Sequence, residues 1–236
     1  MVKKVKLMLI VGLVNFNIFS QTTEKEIDTW EAHYGISNFI MQGDMHSFKT
    51  DSGKNYFNFG GYAGVSKMFN PILGLEFRAK FSKISGASQE LFEGYNLKYV
   101  NANYDRKNLM FKGFSYGGEL NLVINLTNTH RKLISKYTLT SYLGIGYHFY
   151  NSSLYSIEDG IFEQILDTDF DSHSIYLSGQ LGVRRRINKR FDIEFRTGIF
   201  LNYEDHLDAA ISDKQNWENF IVSSIGLVVR LGKEKI

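Results

Sequence analysis

The chain has 236 residues, and its 27 basic side chains against 25 acidic ones leave a net charge of +2, which gives no electrostatic case for a nucleic-acid partner. It has no cysteine, so neither a disulfide scaffold nor a lipid-modified N-terminal cysteine is available. The composition excludes much and identifies little; the information lies in the order of the residues.

Met1-Val2-Lys3-Lys4-Val5-Lys6 is a basic head, Leu7 to Phe19 is a short apolar stretch, and the chain turns polar after Ser20. That order predicts a secretory signal peptide over 1–20, cleaved after Ser20, followed by a polar tether over 21–28. No later stretch is long and apolar enough for a membrane helix, so a mature chain that spans a membrane does so as a closed barrel.

From Trp30 the chain alternates apolar and polar residues in strand-length runs, which gives each strand one apolar and one polar face. Trp30–Ile36 is the first. Tyr56–Phe69 follows with Phe57, Phe59, Val65 and Phe69 on one face, where Gly61 is expected to mark a kink or bulge. Asn70-Pro71 makes a tight turn into Ile72–Phe81, whose Leu73, Leu75, Phe77 and Phe81 oppose Glu76, Arg78 and Lys80. Phe114–Leu126, Tyr137–Phe149 and Ile175–Arg186 repeat the pattern. Phe191–Tyr203 is the clearest case, with Phe191, Ile193 and Phe195 alternating with Asp192, Glu194 and Arg196. Phe220–Leu231 closes a count of eight, an even number as single-chain bacterial barrels require.

The links near Asn70, at Thr127–Lys136 and at Ile187–Arg190 are short or moderate. Those at Asn38–Asn55, Ile84–Lys112, Asn151–His173 and Glu204–Glu218 are long. This alternation predicts an eight-stranded antiparallel up-and-down transmembrane β-barrel over 29–232, with short periplasmic turns, long extracellular loops and a short polar tail over 233–236. Trp30, Tyr34, Tyr137, Tyr147, Phe149, Tyr203 and Trp217 fall near strand ends, as interfacial girdles do. A soluble lipocalin-like barrel is the opposite arrangement, with an apolar lumen and a polar exterior.

An eight-stranded barrel is filled by its own side chains. The inward positions include Glu31, His33, Glu76, Arg78, Lys80, Glu119, His148, Arg184, Asp192, Glu194, Arg196 and Arg230. Acids and bases nearly match, so the lumen is expected to neutralise itself as an ion-pair ladder that plugs the barrel, because an unpaired buried charge costs about 3–5 kcal/mol. A narrow solute pore is the alternative use of such a lumen.

The eight-strand pattern, the leader and the loop asymmetry resemble the small OmpA/OmpX-like outer-membrane barrels, in particular the porin-family β-barrel proteins of Bacteroidota, over Trp30 to Gly232. Ser224-Ile225-Gly226-Leu227-Val228-Val229-Arg230-Leu231 looks like that family's closing-strand insertion signal, matched at Ser224, Gly226, Val229 and Leu231, although Gly232-Lys233-Glu234-Lys235-Ile236 follows in place of a terminal aromatic. The resemblance implies placement in the outer membrane, contact with its lipids and lipopolysaccharide, and handling by the barrel-insertion machinery. It implies no enzyme and no cofactor, but a barrel that supports envelope integrity or presents its loops.

Two loop segments hold the groups that could do chemistry. Glu158, Asp159, Glu163, Asp167, Asp169, Asp171 and His173 occupy the third long loop, and Glu204-Asp205-His206-Leu207-Asp208 opens the fourth. Asp167-Thr168-Asp169-Phe170-Asp171 has the spacing of half a calcium loop without its glycine turn or distal glutamate, so no metal is expected. A lipid-modifying enzyme would pair His206 or His173 with a carboxylate and Ser172 or Ser212, but no nucleophile motif accompanies them.

Overall fold

The computed structural model describes residues 29–42, 56–87, 109–127, 136–158, 161–167, 172–203 and 219–231. The leader, the tether, the tail, Trp217, His206 and Ser212 lie outside the described residues, as do the carboxyl groups of the acidic third and fourth loops. Nine strands run in chain order: β1 (Thr29–Gln42), β2 (Asn58–Met68), β3 (Leu73–Ala87), β4 (Leu109–Asn125), β5 (Tyr137–Glu158), β6 (Ile161–Asp167), β7 (His173–Arg186), β8 (Phe191–Asn202) and β9 (Asn219–Arg230). Each barrel strand pairs antiparallel with its sequence neighbours, β5 passes directly to β7, and β1 pairs with β9, which closes an eight-stranded barrel. Closure leaves the eight staves without a free edge.

Alternation in the sequence becomes alternation in space. Along β7, exposed and buried residues alternate from His173 to Arg184. The exposed side chains are the apolar ones: Phe77, Leu120, Ile145, Leu177 and Phe195 are each about half exposed, at 50–55%. On β4 this outward apolar row runs from Phe114 to Leu122, close to the ~9–11 residues a membrane-crossing strand needs. Such a belt on all sides is stable in lipid and not in water, where contiguous apolar patches stay small.

The short turns are built alike. Asn70 Oδ1 accepts from the backbone N–H of Ile72 and Leu73 at 2.8 and 2.7 Å, and Asn188 Oδ1 accepts from Arg190 and Phe191 at 2.8 and 2.9 Å. An asparagine opening the turn thus supplies the acceptor that the reversing chain needs.

Several expected loops are partly strand. β1 runs on to Gln42, β3 to Ala87, β4 starts at Leu109, and β5 continues to Glu158 before turning back as β6, so His173 begins β7 instead of ending a loop. Beyond the long-loop rim, β3, β4, β5 and β6 form a tongue in which Leu109, Met110 and Phe111 are all buried. Both faces are covered there, so the alternation that marks a lipid-facing strand disappears. Gly61 is no kink: its pairing is regular on both sides, and a Cβ there would stand 2.7 Å from the Phe81 ring that lies over it.

Candidate functional site: the barrel lumen

Glutamates and arginines enter the lumen from facing strands because they share the inward parity of regular ladders. Among the described residues, five carboxylates (Glu31, Glu76, Glu119, Asp192, Glu194) meet five cations (Arg78, Lys80, Arg184, Arg196, Arg230). Glu194 is the hub. One of its oxygens accepts from Arg184 Nε at 2.7 Å and from Tyr142 Oη at 2.5 Å, and the other accepts from Arg196 Nε at 2.6 Å. Arg196 reaches across the barrel to both oxygens of Glu76, at 2.9 and 2.6 Å, and its guanidinium lies 3.5 Å over the Tyr142 ring. Arg78 Nε stands 3.1 Å from Glu76 Oε1. Arg184 Nη1 also donates to Glu31 at 2.7 Å.

Toward the short-turn rim Arg230 pairs with Asp192, and its Nε stands 3.9 Å from Glu31. Toward the long-loop rim Lys80 pairs with Glu119 at 2.9 Å, and Gln180 and Ser178 donate to the same carboxylate. His33 donates from Nε2 to Ser66 Oγ at 2.8 Å, and Ser66 donates onward to Glu31 at 3.3 Å. Charge is therefore balanced along the lumen, and the multiple hydrogen bonds of Glu76, Arg184, Glu194 and Arg196 offset their desolvation.

Glycines make room for the tyrosines that fill the remaining space. Gly35 and Gly226 face each other across β1 and β9, and a Cβ on either would run into Tyr62 Oη. The same Tyr62 carries the Arg78 guanidinium 4.2 Å above its ring. Gly226→Ala should therefore lower the denaturant midpoint of the folded barrel, and adding Tyr62→Phe should recover part of that loss. A Gly226→Ala chain as stable as the parent would show that the close approach does not matter.

Above Lys80 the lumen changes character, which the alternation did not announce. Met41, Ile84, Phe111, Leu154, Phe200 and Phe220 are among a buried apolar cluster at the long-loop end. The lumen is charged below and dry above. The cluster was hidden because Ile84, Leu109, Phe111 and Leu154 lie in segments expected to be loop. Between the two layers lies a cavity of about 30 Å³ lined by Lys80, Ser115, His148, Tyr176 and Phe200, room for roughly one water.

Beside this cavity His148 Nδ1 accepts from Ser115 Oγ at 3.0 Å, and its Nε2 donates to Asn202 Oδ1 at 3.2 Å, which also accepts from Ser174 at 2.7 Å. The order hydroxyl, imidazole, amide is that of a nucleophile with its base and orienting group. Here it lies under the apolar cluster beside the small cavity, and it satisfies buried polar atoms. Of the proposed loop chemistry, His173 and Ser172 lie at the start of β7, and among the described residues no three metal-binding side chains come together.

The closing-strand residues divide by face. Ser224 is buried and Gly226 points inward, whereas Val229 is half-buried on the outer face and Leu231 is exposed, its N–H donating to Trp30 O at 2.8 Å.

No family model and no curated protein matches the chain. Solved structures similar to it include a major outer membrane protein of Thermus thermophilus, at 11% identity over 86% of this chain and 99% of that one, with a TM-score of 0.49. OprG of Pseudomonas aeruginosa matches at 12% over 87% and 97%, with a TM-score of 0.45. Ail, the attachment invasion locus protein of Yersinia pestis, matches at 12% over 86% and 99%, also with a TM-score of 0.45. At these identities and TM-scores no family is assigned, and the architecture stands on the chain's own closed ladder.

Proposed function

We propose that this chain is an integral barrel of the bacterial outer membrane, exported by its leader, that supports the envelope or displays its long acidic loops and performs no chemistry itself. The observation that carries this reading is the pairing of an apolar exterior with a charge-balanced, filled lumen. The exterior suits lipid, and among the described residues the ion-pair ladder and the apolar cluster fill the lumen in succession, which supports a closed barrel over a pore. The ladder acts as a structural plug, and the insertion machinery reads the closing strand through Gly226, Val229 and Leu231.

The reading is tested by carbonate extraction of membranes, with gel migration of the detergent-solubilised protein before and after boiling. Retention in the pellet with a heat-dependent shift is the expected result, and release into the soluble fraction without a shift would return the soluble barrel. In planar bilayers the folded protein should give no steady conductance. Discrete open levels would move the assignment to a narrow pore.

A further inference from the structure

We propose that the short-turn rim carries a binding site for the phosphate of an anionic phospholipid in the leaflet that surrounds it. The site is the end of β7 and the β7–β8 turn: Arg185, Arg186, Lys189 and Arg190, with Lys136 beside them at the foot of β5. All five are exposed. Among the described residues none has a carboxylate within ion-pair distance; Asp192, opposite Arg186 in the ladder, makes its ion pair with Arg230.

The backbone holds these like charges together. Arg186 N–H donates to Lys136 O at 2.9 Å, and Arg230 N–H donates to Arg190 O at 2.9 Å. Asn188 caps the turn from inside. The turn is thus pinned by β5 on one side and β9 on the other, which keeps the bases of these cationic side chains together on one stretch of the rim. An anion among them offsets their mutual repulsion, and guanidinium groups match phosphate oxygens two at a time.

The surroundings select a lipid over a soluble anion. Arg185 lies directly opposite Tyr137 in the ladder, its guanidinium 6.0 Å from the ring centre on the outer face. Ile187 and Phe191 are exposed on the same rim, at 52% and 39%. Apolar groups that face acyl chains, with cations immediately beyond them, reproduce the profile of a lipid from tail to headgroup. A free phosphate has no use for the apolar half. Lys67, opposite Trp30 and 5.4 Å from its ring, repeats the arrangement elsewhere on the rim.

The proposal rests on the membrane reading above, and its test keeps the two apart. The protein is folded into phosphatidylcholine vesicles containing traces of spin-labelled phosphatidylglycerol or spin-labelled phosphatidylcholine, and the motionally restricted fraction is read by electron paramagnetic resonance. Phosphatidylglycerol should associate about fivefold more strongly, the equivalent of one basic side chain at a charged surface, and the preference should fall with salt. It should be lost in the R185Q/R186Q/K189Q/R190Q chain, or in R186Q/R190Q if the fourfold variant shows no heat-dependent gel shift. Equal association of the two labels with the parent, or a preference that survives in a folded variant, overturns the proposal. So does a preference for spin-labelled lipid A with none for phosphatidylglycerol. A parent protein with no heat shift in the same vesicles sinks the membrane reading first, and the lipid site with it.

Discussion

Glu194→Leu should lower the unfolding free energy of the barrel by about 3–5 kcal/mol, the cost of stranding buried charges. Its side chain is fully buried and bridges Arg184 and Arg196, whose other carboxylate partners are Glu31 and Glu76. Without it the two guanidinium groups face each other in a closed lumen, and Tyr142 loses its acceptor. Removing Arg196 together with Glu194 should hurt less than removing Glu194 alone. In the double variant Glu76 keeps Arg78 and Asn121, while Arg184 keeps Glu31 and Tyr142. The observable is reversible urea unfolding in lipid vesicles, followed by tryptophan emission and analysed as a double-mutant cycle. If Glu194→Leu changes stability by under about 1 kcal/mol, the ladder is not what holds the lumen closed.

The second large effect is on the opposite face. Leu120 stands outward on β4, half exposed, between Phe77 and Ile145 in the ladders. Leu120→Arg should cost about 2–4 kcal/mol when the barrel is folded in a bilayer, the depth-dependent cost of a lipid-facing cation near the midplane. The reverse change at the rim has little to lose: Arg185, exposed beyond the belt, can become Leu with the urea midpoint nearly unmoved. In a water-soluble barrel the sign reverses, because an arginine replacing an exposed leucine is neutral or helps solubility. A Leu120→Arg chain that folds as well as the parent in vesicles would therefore count against the membrane belt.

Both predictions were already visible as parity. Phe191 to Leu201 shows an apolar and a charged wall in the sequence itself, and β8 realises it residue by residue. The side-chain period of a strand is two, so a segment with one apolar and one charged face has only two ways to sit, and the count of eight runs with alternating short and long links points to the closed form. The inward parity of Glu31, Glu76, Arg78, Lys80, Glu119, Arg184, Asp192, Glu194, Arg196 and Arg230 was equally legible, since parity depends on local geometry alone.

Which inward charge meets which was not legible. Arg184 joins Glu31 across 153 positions and Arg196 joins Glu76 across 120, distances over which only the stagger of the ladders decides the partner. The apolar cluster at the long-loop end was hidden for a different reason. Ile84, Leu109 and Phe111 lie where the ends of β3 and β4 are buried continuously, so these segments lose the period of two and look like loop. Gly61, Gly35 and Gly226 needed the tertiary structure as well, because what a glycine makes room for lies on another strand: the Phe81 ring over Gly61, and Tyr62 against the other two. The order of the residues is enough to specify the barrel, its two walls and the groups that fill it. Only the closed structure decided how those groups pair, where the lumen turns dry, and that the basic turn is pinned at the rim by its neighbours, because each of these depends on contacts between strands far apart in the chain.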